Sequence, residues 1–69
     1  MQIKINDVVT EIPDGLNVVG LLAHEKVKWP DMVTVQVNGV ILERKDFPVT
    51  LVRADDSVDF LYFMGGGTR

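Results

Sequence analysis

Protein chemistry needs groups that attack, hold a proton, bind a metal, or are themselves attacked, and this chain is poor in the first three. It has no Cys and one His, His24. Thiol nucleophiles, zinc ribbons, iron–sulfur clusters and Ser-His-Asp relays therefore lack their usual ligands or base. His24 falls on the polar side of a short apolar periodicity, with no second His or Cys near it in sequence. Asp55 and Asp56, side by side before a β-branched run, read as a turn rather than a cation site. Lys4, Lys26, Lys28 and Lys45 read as solvating charges. What remains is a segment suited to being acted upon: Gly65-Gly66-Gly67, directly after the apolar run that ends at Met64. Glycine is costly to order and packs nothing. Its merit is thinness, since a backbone without side chains can thread a narrow channel into another enzyme and present a carbonyl there. A disordered tail is the alternative reading of the same residues.

The elements behind that segment must be few. The chain has 69 residues, so it is one compact unit or a fragment of something larger, with no room for a two-domain enzyme. With no disulfides available, stability must come from the 46% of residues that are hydrophobic. Seven Lys and Arg against ten Asp and Glu give a net charge of −3, and the basic residues are scattered. A nucleic-acid partner is not expected. The longest apolar run is far short of the roughly 20 residues that cross a bilayer, and no signal-like start is present, so a cytoplasmic protein without a membrane partner is expected.

Gln2 to Ile5 alternates polar and apolar, Asn6-Asp7 is a turn signal, and Val8 to Ile12 returns, giving a hairpin that opposes Ile5 to Val8. Ile3, Ile5, Val8 and Ile12 are then expected on one buried face. Asn17 reads as a helix N-cap, with Leu16 and Leu21 as a hydrophobic staple. Val18, Leu21, Leu22 and Val27 trace an apolar stripe over an expected helix of residues 18–27. Gly20 inside it signals either close packing against the sheet or a marginal helix. Trp29-Pro30 ends the helix, and Trp29 is expected to cap that end of the core. Val33, Val35 and Val37 alternate into Asn38-Gly39, the strongest hairpin signal in the chain. Val40 to Leu42 returns, and residues 43–56 read as an irregular connector with at most one brief strand. The last strand places Val58, Phe60 and Tyr62 on one side and Asp59, Leu61 and Phe63 on the other. Leu61 and Phe63, with Met64 beside them, are thus expected to form an outward apolar patch for docking a partner. The order is a ββαβββ-like α+β chain: one main helix across a mixed sheet of four or five strands, the first and last strands parallel in the middle. That is a β-grasp, with a domain at 1–64 and a flexible glycine-rich tail at 65–69.

Four stretches taken together carry a family resemblance: Met1-Gln2-Ile3-Lys4-Ile5-Asn6, Ile12-Pro13-Asp14-Gly15-Leu16-Asn17-Val18, Val37-Asn38-Gly39, and the run from Asp56 to Gly67. In order, spacing and total length, residues 1–67 resemble the ThiS/MoaD family of ubiquitin-like sulfur carriers, the thiamine branch being nearer. The resemblance implies a carrier that is not an enzyme and binds no cofactor itself. A ThiF-type adenylating enzyme would use ATP to activate the Gly67 carboxylate. Sulfur from a cysteine desulfurase relay would then replace the nucleotide to give a thiocarboxylate, delivered to a ThiG-type thiazole synthase. Gly65, Gly66 and Gly67 would enter the partner's active site. Family members end on that glycine, whereas Thr68 and Arg69 follow here, so removal by a processing peptidase is expected. Acceptors in molybdopterin, cysteine or homocysteine pathways stay open. So do a conjugation tag joined to lysines and a β-grasp interaction module with an idle tail.

Overall fold

The computed structural model describes residues 1–62. Phe63, Met64, Gly65, Gly66, Gly67, Thr68 and Arg69 lie outside the described residues, and with them the expected domain boundary and tail. Among the described residues no helix is long and apolar enough to cross a membrane.

Strands β1 (Gln2–Ile5) and β2 (Val8–Glu11) form an antiparallel hairpin in the expected register, Ile5 opposite Val8 and Ile3 opposite Thr10. Asn6 and Asp7 both take positive φ, 49° and 68°, as a two-residue type I′ connection requires. Ile3 and Ile12 are 2% exposed, but Val8 is 63% exposed, against expectation. It sits at the tip of an edge strand, and a helix of seven residues, about 10 Å long, is too short to cover that corner.

The helix α1 (Val18–His24) starts as expected. The Asn17 side chain accepts from the Gly20 N–H at 2.7 Å, and its amide donates to the Pro48 carbonyl at 3.1 Å. Gly20 resolves differently from either reading. A Cβ there would lie 3.3 Å from Asn17 Oδ1 and 3.3 Å from Leu16 Cδ2, so the glycine makes room for the cap and the staple rather than for the sheet. The helix also ends three residues early. Lys26 has φ 55°, its N–H donates to the Ala23 carbonyl at 3.1 Å, and that of Val27 donates to Leu22 at 3.1 Å. This pair of bonds is a Schellman stop with lysine where glycine is usual. Val27 still packs on the core, but from beyond the helix.

Strand β3 (Thr34–Val37) turns through Asn38-Gly39 into the two-residue β4 (Val40–Ile41). The connector holds a 3-10 helix, Arg44–Val49, that buries Phe47. Its only strand character is a bridge from Leu51 to Asn17, flanked by bonds from Val18 to Thr50 and from Val52 to Leu16. Strand β5 (Ser57–Leu61) runs parallel to β1 and antiparallel to β3. The five-stranded order β2-β1-β5-β3-β4 under one main helix is the β-grasp expected. The core lies between sheet and helix: Ile3, Val33, Val35 and Val58 from below, Val18, Leu21 and Leu22 from above, and Phe47 and Val52 closing one side.

Candidate functional site

The strand that leads to the glycines is the central one, and it is held from both sides. Val58 is fully buried, and β5 pairs with β3 through Thr34↔Leu61, Val35↔Phe60, Gln36↔Asp59 and Val37↔Val58. Its pairing with β1 covers only Lys4↔Ser57 and Ile5↔Val58, because β1 turns away at Asn6. Asn6 itself carries the ladder onward. Its backbone N–H donates to the Val58 carbonyl at 2.9 Å. Its side-chain Oδ1 accepts from the Phe60 N–H at 2.8 Å, and its Nδ2 donates to the Phe60 carbonyl at 3.3 Å. The primary amide thus imitates a peptide group. Asn38, in the other hairpin turn, does the same at the start of β5. Its Oδ1 accepts from the Ser57 N–H at 2.9 Å, its backbone N–H donates to the Ser57 carbonyl at 2.7 Å, and its Nδ2 donates to Asp56 at 3.0 Å. Asp56 also accepts from the Arg53 N–H at 2.9 Å, so the acidic pair serves a turn, as its sequence suggests.

Beyond Leu61 stands an aromatic pair. Tyr62 and Trp29 meet edge to face, ring centroids 6.3 Å apart and planes at 85°, a favoured aromatic geometry. Lys28 Nζ lies 5.0 Å from the Trp29 ring centroid. Trp29 is therefore not a core cap. It is 46% exposed, because Pro30 begins a tight turn in which the Trp29 carbonyl accepts from the Met32 and Val33 N–H groups at 3.0 and 3.2 Å. The Arg44 guanidinium fixes that turn by donating to the Pro30 and Val33 carbonyls at 2.7 and 2.8 Å.

Of the residues singled out in the sequence, Leu61 ends β5 half-buried, opposite Thr34, and is not part of the core cluster. Phe63, Met64, Gly65, Gly66, Gly67, Thr68 and Arg69 lie outside the described residues. His24 is on the outer helix surface, its Nδ1 3.0 Å from Glu25 Oε2. Among the described residues no polar or charged side chain is buried and no group of three potential metal ligands gathers. Two residues escaped the sequence reading, Asn6 and Trp29. Asn6 carries a turn signal that hides its second role. The signal for Trp29 was available: an aromatic between Lys28 and Pro30, with Asp31 next, is as well placed to be displayed as to be buried. The site is thus a paired base that delivers the chain at Tyr62, with no acid, base or nucleophile assembled around it among the described residues.

A model of the ThiS family matches residues 2–67. The crystal structure of a thiamine biosynthesis protein, ThiS, from Geobacter metallireducens is similar with TM-score 0.89 and 43% identity, over 97% of this chain and 100% of that one. A solution NMR structure of a thiamine biosynthesis protein from the same organism is similar with TM-score 0.78 and 43% identity, over 97% and 88%. No curated protein matches the chain.

Proposed function

The chain belongs to the ThiS family, and from that membership we propose that it carries sulfur for thiamine biosynthesis, as a thiocarboxylate on Gly67. The observation that supports this reading is that the family match runs from residue 2 through residue 67, so that Gly67 is its last matched position. A β-grasp with no buried polar side chain among its described residues suits a cosubstrate whose chemistry is done by others.

The proposed sequence is consistent with elementary chemistry. A carboxylate is a poor electrophile. Attack of a Gly67 carboxylate oxygen on the α-phosphorus of ATP, with loss of pyrophosphate, gives an acyl adenylate with a good leaving group. A persulfide from a cysteine desulfurase relay then displaces AMP to give an acyl disulfide, and attack by a thiol, which is itself oxidised to a disulfide, frees the thiocarboxylate. The resulting thiocarboxylate is an anionic sulfur nucleophile that delivers sulfur without releasing sulfide, here to a thiazole synthase. Charging needs a free carboxylate, so Thr68 and Arg69 must first be removed. Gly65 and Gly66 let the chain enter the adenylating enzyme, and Leu61, Phe63 and Met64 lie close enough in sequence to touch that enzyme.

The test compares the chain ending at Gly67 with the chain ending at Arg69, each incubated with ATP, a ThiF-type enzyme and a sulfur donor. The expected result is a gain of about 16 Da, oxygen replaced by sulfur, in the trimmed chain alone. Lysine conjugates in place of that gain would establish a protein tag, and no change in either chain would overturn the reading. Mass spectrometry on protein from its own cells checks the trimming: Arg69 intact in every molecule would defeat it.

A further inference from the structure

Among the described residues, nothing buries the aromatic pair. Trp29 and Tyr62 are 46% and 40% exposed, and Met32 beside them in the turn is 61% exposed. Two large rings and a methionine in water at one end of a small protein are a costly display. The turn that carries Trp29 is nonetheless held rigid by Arg44 and by its own backbone bonds. Trp29 is the only tryptophan in the sequence. A groove of about 330 Å³, lined by Val19, Leu22, Ala23, Lys26, Val27 and Pro30, begins at the residue after it.

Covalent geometry limits how far from this patch a partner that holds Gly67 can lie. Tyr62 precedes Gly67 by five residues, and an extended chain spans at most about 3.5 Å per residue. An active site holding Gly67 therefore lies within about 18 Å of Tyr62. Any globular enzyme with Gly67 in a buried pocket must bring its surface up to the end of β5, where Tyr62 and Trp29 stand. We propose that Trp29 and Tyr62, with Lys28 stacked on the indole, form the anchor by which the adenylating enzyme seats the globule. Their pairing fixes both rings in advance, so little side-chain freedom is lost on docking. Tryptophan and tyrosine are also the residues most enriched among those that dominate interface energetics. This rests on the reading of Gly67 given above.

The test uses the chain ending at Gly67 and follows pyrophosphate release. Trp29→Ala and Tyr62→Ala are expected to raise KM about tenfold with kcat unchanged and the thermal midpoint lowered by only about 5 °C through loss of the ring contact, and Trp29→Phe to recover most of the loss in KM. A role in folding alone would lower the midpoint and leave KM in place. The single tryptophan also allows a measurement without mutation. Fluorotryptophan at position 29 gives one fluorine NMR resonance, expected to shift on titration with the enzyme at the same concentrations that saturate turnover. Turnover of the wild-type chain with KM unchanged in Trp29→Ala, or with a resonance that does not move at saturation, overturns the anchor alone. A wild-type chain that is never charged overturns the reading of Gly67 and the anchor with it.

Discussion

Asn6 serves twice. With φ at 49° it makes the tight turn possible, and with its amide it supplies β5 with the partner that β1 stops providing. The two roles separate by mutation. Asn6→Gly keeps the backbone conformation, because glycine enters the left-handed region freely, but removes both bonds to Phe60. We expect a loss of about 1 kcal/mol and about fivefold faster hydrogen exchange at the Phe60 amide. Val35, its cross-strand neighbour on β3, should change much less. Equal protection of Phe60 in both proteins would mean that the side chain is dispensable. None of this was legible in the sequence, where Asn-Asp announces a turn and says nothing of which strand lies beside it. The contact joins residues 54 positions apart, and local pattern carries no information at that range.

The helix shows the opposite balance. Its entrance was legible because Asn17 and Leu16 act over three to five residues, the range that sequence spacing describes. Its end was not, because Val27 satisfies the apolar period while lying outside the helix. Lysine in the left-handed conformation gives no warning of a stop. That conformation costs a residue with a Cβ roughly 1 kcal/mol, so Lys26→Gly should stabilise the protein by about 0.5–1 kcal/mol and raise the thermal midpoint by about 4 °C. A fall in the midpoint would show that the lysine side chain contributes more than its backbone costs. The strands were legible wherever one face is buried, as for Val33, Val35 and Val58. Val8 shows where alternation fails: it obeys the period but lies past the reach of the helix. Of the candidate site, the sequence pattern made legible the strand that leads to Leu61 and Tyr62. The aromatic pair depends on bringing position 29 to position 62 and needed the fold.

For the whole molecule, the ends of the hairpin and of the sheet are tied electrostatically. The Met1 ammonium donates to the Ile12 carbonyl at 2.8 Å and lies 3.0 Å from Glu11 Oε2 and 3.2 Å from Asp14 Oδ1. The bond to Glu11 foremost, then that to Asp14, raises the amine above its ordinary pKa of 8.0. A raised folded pKa stabilises fully below the ordinary value and ceases to as pH rises through the raised one. In the chain beginning at Met1, the urea midpoint should therefore fall as pH rises from below 8.0 through the raised value, and fall less in an N-acetylated chain. Parallel curves for the two would exclude the amine as the cause. The grip of Asn38 on β5 has a slower consequence. An Asn-Gly sequence deamidates when the glycine nitrogen attacks the asparagine carboxamide, and in the fold both ends of that carboxamide are engaged by Ser57 and Asp56. Release of ammonia at Asn38 is therefore expected to be slower in the folded chain than in the unfolded one, and it would leave a new carboxylate facing Asp56.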